Sequence, residues 1–385
     1  MATLSYLSFL CVFVNVAFSY EINGSPSESV LNINSYYSAS FYSSSSPSSS
    51  CPAAEDIKPC VCIIKYGDIN LDCTGVTSNK ELKAIFHNAH FPNPNFREFY
   101  MAGNKGITVL EKEVFGNVTF KIIFVMRSAL QKVEVGALDA SNKTAVVIDL
   151  LSNNITSFPF HTIHEFSALE ELRLTDNHLS SMPLVKSDTV KMLDLSMNPL
   201  MKIPSDALRS LTAIELLSMG FTNISHIPPG LFKNVSSLQY VLLGYNNITS
   251  LPTDIITCSS PDVVCGNNWL KSVSLSSNPI AHVELNAFEA HPGLRVEMTG
   301  SALTSLNETV WRPLIEANVT LTLEDNRFSC KCDMAWLAVK NPPNLAHVWG
   351  ECSNGTPLQH LDPKVFANCT SAVEEPGLGN TYKLS

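Results

Sequence analysis

Residues 169–183 read LEELRLTDNHLSSMP, and residues 190–204 read VKMLDLSMNPLMKIP. The two stretches share the pattern L-x-x-L-x-L-x-x-N-x-L. Leu169, Leu172, Leu174, Asn177 and Leu179 fill it in the first, and Val190, Leu193, Leu195, Asn198 and Leu200 in the second. The alternating L-x-L is a short strand whose two apolar side chains point to one side. One such segment cannot bury its apolar side alone, so successive copies must stack and share a core. The Asn turns the chain out of the strand, and its buried amide is suited to bond backbone groups of adjoining turns. Leu238, Val241, Leu243, Asn246 and Ile248 form a third clear copy.

Looser copies extend in both directions. Before the clear ones come Phe96, Phe99, Met101, Asn104 and Ile107; Phe120, Ile123, Val125, Ser128 and Leu130; and Ala145, Ile148, Leu150, Asn153 and Ile155. After them come Leu270, Val273, Leu275, Asn278 and Ile280; Val296, Met298, Ser301 and Leu303; and Leu321, Leu323, Asn326 and Phe328. Leu211, Ile214 and Leu216 make one more copy, with Met219 standing where Asn is expected. An irregularity is therefore expected near Met219-Gly220, while Ser128 and Ser301 are expected to replace the Asn in part. The period, roughly 21 to 32 residues, overlaps the leucine-rich-repeat range. The expected fold is an α/β solenoid, a leucine-rich-repeat horseshoe of about ten turns with a parallel concave sheet. A segment between Ile256 and Leu270 breaks the period and holds Cys258 and Cys265. It reads as a tolerated loop closed by a disulfide, in preference to a partner-binding knob.

Solenoid ends expose core and need covers. Cys51, Cys60, Cys62 and Cys73 precede the repeats, and Cys330, Cys332, Cys352 and Cys369 follow them. With Cys258 and Cys265 they make an even set, which suits disulfides and an oxidising compartment. A zinc reading is weaker, because no paired Cys-x2-Cys spacing occurs. Sequence alone allows three pairings within each quartet. From Leu4 to Phe18 the chain is largely apolar and uncharged, and it then reaches Ala17-Phe18-Ser19. Residues 1–19 are thus expected to be a secretory signal. Residues 20–50 are a Ser-rich, disordered leader, 51–95 an N-terminal cysteine-rich cap, 96–328 the repeats, 329–370 a C-terminal cap and 371–385 a tail. No second long apolar run follows, so no membrane anchor is expected and the chain reads as secreted and extracellular.

Charge narrows the partners. Lys and Arg total 25 against 35 Asp and Glu, a net charge of −10, and no basic run occurs. That excludes a phosphate-neutralising nucleic-acid surface and a polybasic membrane patch. Only 16% of residues are charged. Asn-x-Ser/Thr sequons at Asn117, Asn142, Asn154, Asn223, Asn234, Asn247, Asn307, Asn318, Asn354 and Asn368, with Asn23 near the start, offer glycans as the missing surface polarity.

The flanking cysteines, and Phe328-Ser329-Cys330-Lys331-Cys332-Asp333 followed by Trp336-Leu337, resemble the cysteine-rich caps of extracellular leucine-rich-repeat proteins. The resemblance implies the pairs Cys51–Cys62, Cys60–Cys73, Cys330–Cys352 and Cys332–Cys369. Pro59-Cys60-Val61-Cys62, Leu71-Asp72-Cys73 and Phe96-Arg97-Glu98-Phe99 are similar to a narrower arthropod group, that of the Oplophorus-luciferin 2-monooxygenase non-catalytic subunit. That resemblance implies a secreted, luminescence-related chain that accompanies a small catalytic subunit. The other reading is a free extracellular recognition, adhesion or innate-immunity protein.

Catalytic patterns are missing. No Gly-x-Ser-x-Gly elbow, phosphate-cradling Gly loop or His-Glu-x-x-His helix occurs. His87 with His90, and His161 with His164, have a helical metal-binding spacing but no nearby third ligand, so they read as surface histidines. The chain is therefore not read as an enzyme, and no catalytic residue, cofactor or metal is assigned. The expected site is a protein-binding concave face, built from side chains between the inward-pointing residues. It comprises Tyr100, Ile122, Phe124, Met126 and Val147 as an exposed apolar cluster, then Asp149, Arg173, Asp194 and Glu215, then Tyr240 and Leu242.

Overall fold

In the computed structural model, described here for residues 50–233, 235–255 and 270–369, the repeats join one 13-stranded sheet whose strands follow chain order. Strands β1 (Val61–Lys65) and β2 (Asp68–Asp72) form an antiparallel hairpin. From β2 onward every neighbour pairs in parallel. Next come β3 (Asn95–Ala102), β4 (Thr119–Met126), β5 (Val147–Asp149), β6 (Glu171–Arg173) and β7 (Met192–Asp194). Then follow β8 (Leu216–Ser218), β9 (Tyr240–Leu242), β10 (Ser272–Ser274), β11 (Arg295–Glu297), β12 (Thr320–Thr322) and β13 (Val348–Trp349).

The register aligns Leu71, Phe99, Ile123, Ile148, Leu172, Leu193, Leu217, Val241, Val273, Val296, Leu321 and Val348 in one row. All of them are buried. Each such side chain contributes about 1.5–3 kcal/mol on burial, and successive turns stack to share this core.

The Asn ladder fixes the spacing of the turns. Asn177 Nδ2 donates to Leu150 O at 2.9 Å and to Leu174 O at 3.0 Å, while its Oδ1 accepts from Ile155 N at 2.9 Å. Asn198, Asn246, Asn278 and Asn326 repeat the arrangement. Ser128 Oγ does part of this work, accepting from Asn104 N and donating to Met126 O. Ser301 does not; its buried hydroxyl makes no hydrogen bond within the described residues. Ile280 N, which an Asn at that place would serve, bonds Asn278 O instead.

The expectation at Met219 is corrected. The inward strand residue of that turn is Leu217, aligned with Leu193 and Val241, and Met219 is the second inward residue, fully buried. The copy therefore runs Ile214, Leu217, Met219, Thr222 and Ile224, three residues later than the sequence alignment placed it. Thr222 takes the Asn position, and its Oγ1 donates to Met219 O at 2.9 Å and Asn246 Oδ1 at 3.0 Å.

A second periodic feature has no sequence signature. The residue before each ladder position is left-handed: Arg127, Ser152, Asp176, Met197, Phe221, Tyr245, Ser277 and Asp325 have φ of 50° to 58°. Gly103 and Gly300 hold the equivalent place and adopt it without a Cβ penalty. The others accept a cost of about 1–2 kcal/mol each, which the ladder bonds on either side offset.

The ends are closed by disulfides: Cys51–Cys62 and Cys60–Cys73 before the repeats, Cys330–Cys352 and Cys332–Cys369 after them. Helix α1 (Asn79–Asn88) starts where Ser78 accepts from Glu81 N and Glu81 accepts from Thr77 N. It buries Leu82, Ile85 and Phe86, and Phe86 packs edge-on against Phe115 and Phe120. At the other end α2 (Glu308–Glu316) buries Trp311, Leu314 and Ile315, and Trp336 Nε1 donates to Leu306 O at 2.8 Å. The expected signal, leader and tail, and the Cys258/Cys265 pair, lie outside the described residues. Among the described residues no helix is long and apolar enough to cross a membrane.

Candidate functional site: the solvent face of the parallel sheet

Alternation along each strand leaves two rows of side chains on the solvent face. One row runs Glu98, Ile122, Val147, Glu171, Met192, Leu216 and Tyr240. The other runs Tyr100, Phe124, Asp149, Arg173, Asp194, Ser218 and Leu242. Tyr100, Ile122, Phe124 and Val147 are half-buried and adjoin one another across three strands, which lie about 4.8 Å apart. Acidic groups border this cluster on its N-terminal side. Burial, then the Asp72 and Glu98 carboxylates, raise the Tyr100 phenol above its ordinary pKa, with Arg127 opposing. Burial likewise raises the Glu98 carboxyl, against the pull of Arg97 and Lys65.

Three expected members of the site stand elsewhere or differently. Met126 is only 6% exposed: alternation leaves it on the face, but it is covered and so is not part of the exposed cluster. Glu215 lies just before β8, level with Lys191, so Ser218 holds the place it was given. Asp149 is on the face but 2% exposed, covered from the next strand. Arg173 Nη1 sits 3.5 Å from Asp149 Oδ2, and its Nη2 donates to Glu171 Oε2. Desolvation raises the Asp149 pKa, with Arg173 and the Leu151 N–H opposing and Asp194 adding to the rise.

The aspartates also carry a folding duty that the sequence did not disclose. Asp72, Asp149 and Asp194 each accept from the backbone N–H two residues on, at 2.9, 3.0 and 2.9 Å. They pin the strand exit of their turns, so the acidity of the middle is partly structural.

The shifted register brings a second apolar cluster into view. Leu216, half-buried, falls between Met192 and Tyr240, with Leu242 alongside. Lys271 Nζ lies 5.7 Å from the Tyr240 ring centroid and donates to Gln239 Oε1 at 2.7 Å. The face thus carries two apolar patches separated by the Asp149–Arg173–Glu171 cluster. Trp349 was missed because it lies in the C-terminal cap beyond the last repeat. It pairs with Thr322, extends the second row and is 52% exposed.

His87 Nε2 is 2.8 Å from Glu113 O, and His164 Nδ1 is 2.8 Å from His161 O. Among the described residues no group of three His, Cys, Asp or Glu side chains could hold a metal ion. The sequon asparagines with a described side-chain environment are exposed or half-exposed, and none is buried. Asn234 lies outside that set.

No protein-family model matches the chain. The Oplophorus-luciferin 2-monooxygenase non-catalytic subunit of Oplophorus gracilirostris is 35% identical over 319 residues, covering 82% of this chain and 87% of that one. Among solved structures, a chain of the octameric complex of Latrophilin 3, Unc5D and FLRT2 has a TM-score of 0.55 at 19% identity, over 70% of this chain and 82% of that one. A chain of the Drosophila Toll–Spatzle complex has a TM-score of 0.50 at 16% identity, over 77% and 51%. At such identities the structural likeness is one of fold: a leucine-rich-repeat solenoid.

Proposed function

The chain belongs to the family of the Oplophorus-luciferin 2-monooxygenase non-catalytic subunit, and from that membership we propose that it is a non-catalytic scaffold of a secreted enzyme complex. Its partner is a protein, a small catalytic chain, held on the solvent face of the sheet. The observation that carries this reading is the contiguous cluster of Tyr100, Ile122, Phe124 and Val147. These are apolar side chains with no inward packing role, set in register on adjoining strands. Clustered aromatic and aliphatic groups of this kind supply interface hot spots worth about 2 kcal/mol or more. Four disulfides among the described residues favour an oxidising, extracellular setting.

Affinity purification of the native protein tests the proposal. A smaller chain should co-purify stoichiometrically, and it should be lost when Phe124→Asp protein is the bait. Recovery of the chain without any companion overturns the subunit reading and favours a free extracellular recognition protein.

A further inference from the structure

Two aromatic side chains stand on the flank of the solenoid, outside the sheet face. Phe221 and Tyr245 occupy the left-handed position of adjoining turns, and their rings stack 4.3 Å apart with 8° between planes. They are nevertheless 37% and 48% exposed. Folding does not require aromatic groups there, since the same position elsewhere holds Ser152, Asp176 or Met197. Two stacked, exposed rings make a contiguous apolar surface on which another group can lie.

The chain two residues further on supplies an occupant. Asn223-Ile224-Ser225 and Asn247-Ile248-Thr249 are both sequons, and Asn223 and Asn247 are exposed. The residue between ring and Asn, Thr222 or Asn246, is buried, while the ring and the Asn on either side of it are both exposed. Asn247 N donates to Ile224 O at 2.8 Å, which places the two sequons on adjoining turns. Beyond Tyr245 the row continues to Ser277, a residue too small to stack on the ring.

We propose that the stacked rings of Phe221 and Tyr245 are the seat of an N-linked glycan carried by Asn247 or Asn223. The attachment joins the Asn Nδ2 to C1 of an oligosaccharide borne on a lipid pyrophosphate. The C1–N bond forms as the C1–O bond to the pyrophosphate breaks, the amide gives up one proton, and the lipid pyrophosphate leaves. The first sugars then lay their C–H groups, which carry partial positive charge, on the electron-rich ring face. A protein partner is the competing occupant, but it would have to seat against two glycan acceptors. The inference rests on the secretory placement given under the proposed function.

The molecule contains its own control. Asn154-Ile155-Thr156 occupies the same place in its turn, but Ser152 stands where the ring would be. Full-length secreted protein is mapped by glycopeptide mass spectrometry and then treated, folded, with an endoglycosidase. Asn247 or Asn223 should be occupied and should release its glycan several-fold more slowly than Asn154, with the difference abolished by denaturation. The double variant Phe221→Ser/Tyr245→Ser should release at the Asn154 rate. Deglycosylation should lower Tm by about 2–4 °C in the parent and not in that variant. Empty Asn223 and Asn247 beside an occupied Asn154 overturn the seat alone and leave the ring pair to a protein. Equal release rates in the folded parent, with no Tm shift, overturn it too. A chain bearing no glycan at any sequon removes the secretory placement along with it.

Discussion

Arg173 lies across Asp149: its guanidinium is 3.5 Å from the carboxylate, and the side chain beneath keeps only 3% of its surface. The pair sits between the two apolar patches, where a docked partner would dehydrate it further. Burial raises the Asp149 carboxyl above its ordinary range, and Arg173 with the Leu151 N–H offsets only part of that rise.

A pH dependence follows. A carboxyl whose folded pKa is raised holds its proton more readily folded than unfolded. Its stabilising contribution is therefore full below the ordinary value of 3.8 and is lost as pH rises through the higher folded value. Asn at this position keeps an acceptor for Leu151 N–H and does not titrate. The Tm of Asp149→Asn relative to the parent should therefore climb as pH is raised from acid to neutral. Parallel curves for the two proteins would mean that the site carries no burial cost.

The face and the interior differ by one residue. Phe124→Asp should fold and be secreted yet lose partner affinity tenfold or more, about 1.4 kcal/mol or beyond. Ile123→Asp should yield no folded protein, since Ile123 is fully buried and its neighbours offer a carboxylate nothing. Secretion levels and pull-down from the same expression experiment read both. A folded Phe124→Asp protein that binds normally moves the partner to the second patch around Tyr240 or to Trp349.

The turn at 214–224 can be tested against the alternative alignment of its sequence. Met219→Asn restores the template if Met219 fills the Asn place, but inserts an amide into the core if it fills the Leu place. We expect a loss of about 3 kcal/mol or more, measured by denaturant unfolding. Thr222→Val keeps the shape and removes the hydroxyl that bonds Met219 O and Asn246 Oδ1, at about 1–3 kcal/mol. Stabilisation by Met219→Asn would reinstate the irregular turn.

Closing the C-terminal end depends on a long covalent loop. Cys332 and Cys369 are 37 residues apart, and Trp336 and Phe366 are buried between them. Cys332→Ala should cost about 2–5 kcal/mol and sharply reduce secreted, folded protein. Normal yield and unchanged unfolding would show that the cap holds without its staple.

How far the sequence carries depends on whether a property is set within one turn or between turns. The buried row was legible because L-x-L and Asn at fixed offsets specify it locally, as at Leu172, Leu174 and Asn177. The turn at 214–224 was misaligned because Leu211, Ile214 and Leu216 satisfy the apolar spacing as well as Ile214, Leu217 and Met219 do. Thr222, a ladder residue without an amide, offered no correction. Asp149 and Met126 were placed in solvent by alternation, whereas their burial depends on side chains that adjoining turns bring over them. The left-handed positions were invisible because Arg127, Met197 and Phe221 are not residues that announce such a backbone. Trp349 was overlooked because the row of the face continues past the last repeat into the cap.

The ladder reaches across very different lengths of chain. Asn198 bonds Leu174 O over 24 residues, and Asn278 makes the same bond to Leu243 O over 35. Tyr240, Val241 and Leu242 nonetheless meet Ser272, Val273 and Ser274 with no slip. The sheet counts turns rather than residues, so the chain between strands can lengthen or shorten during evolution while the rows on the sheet face stay in step.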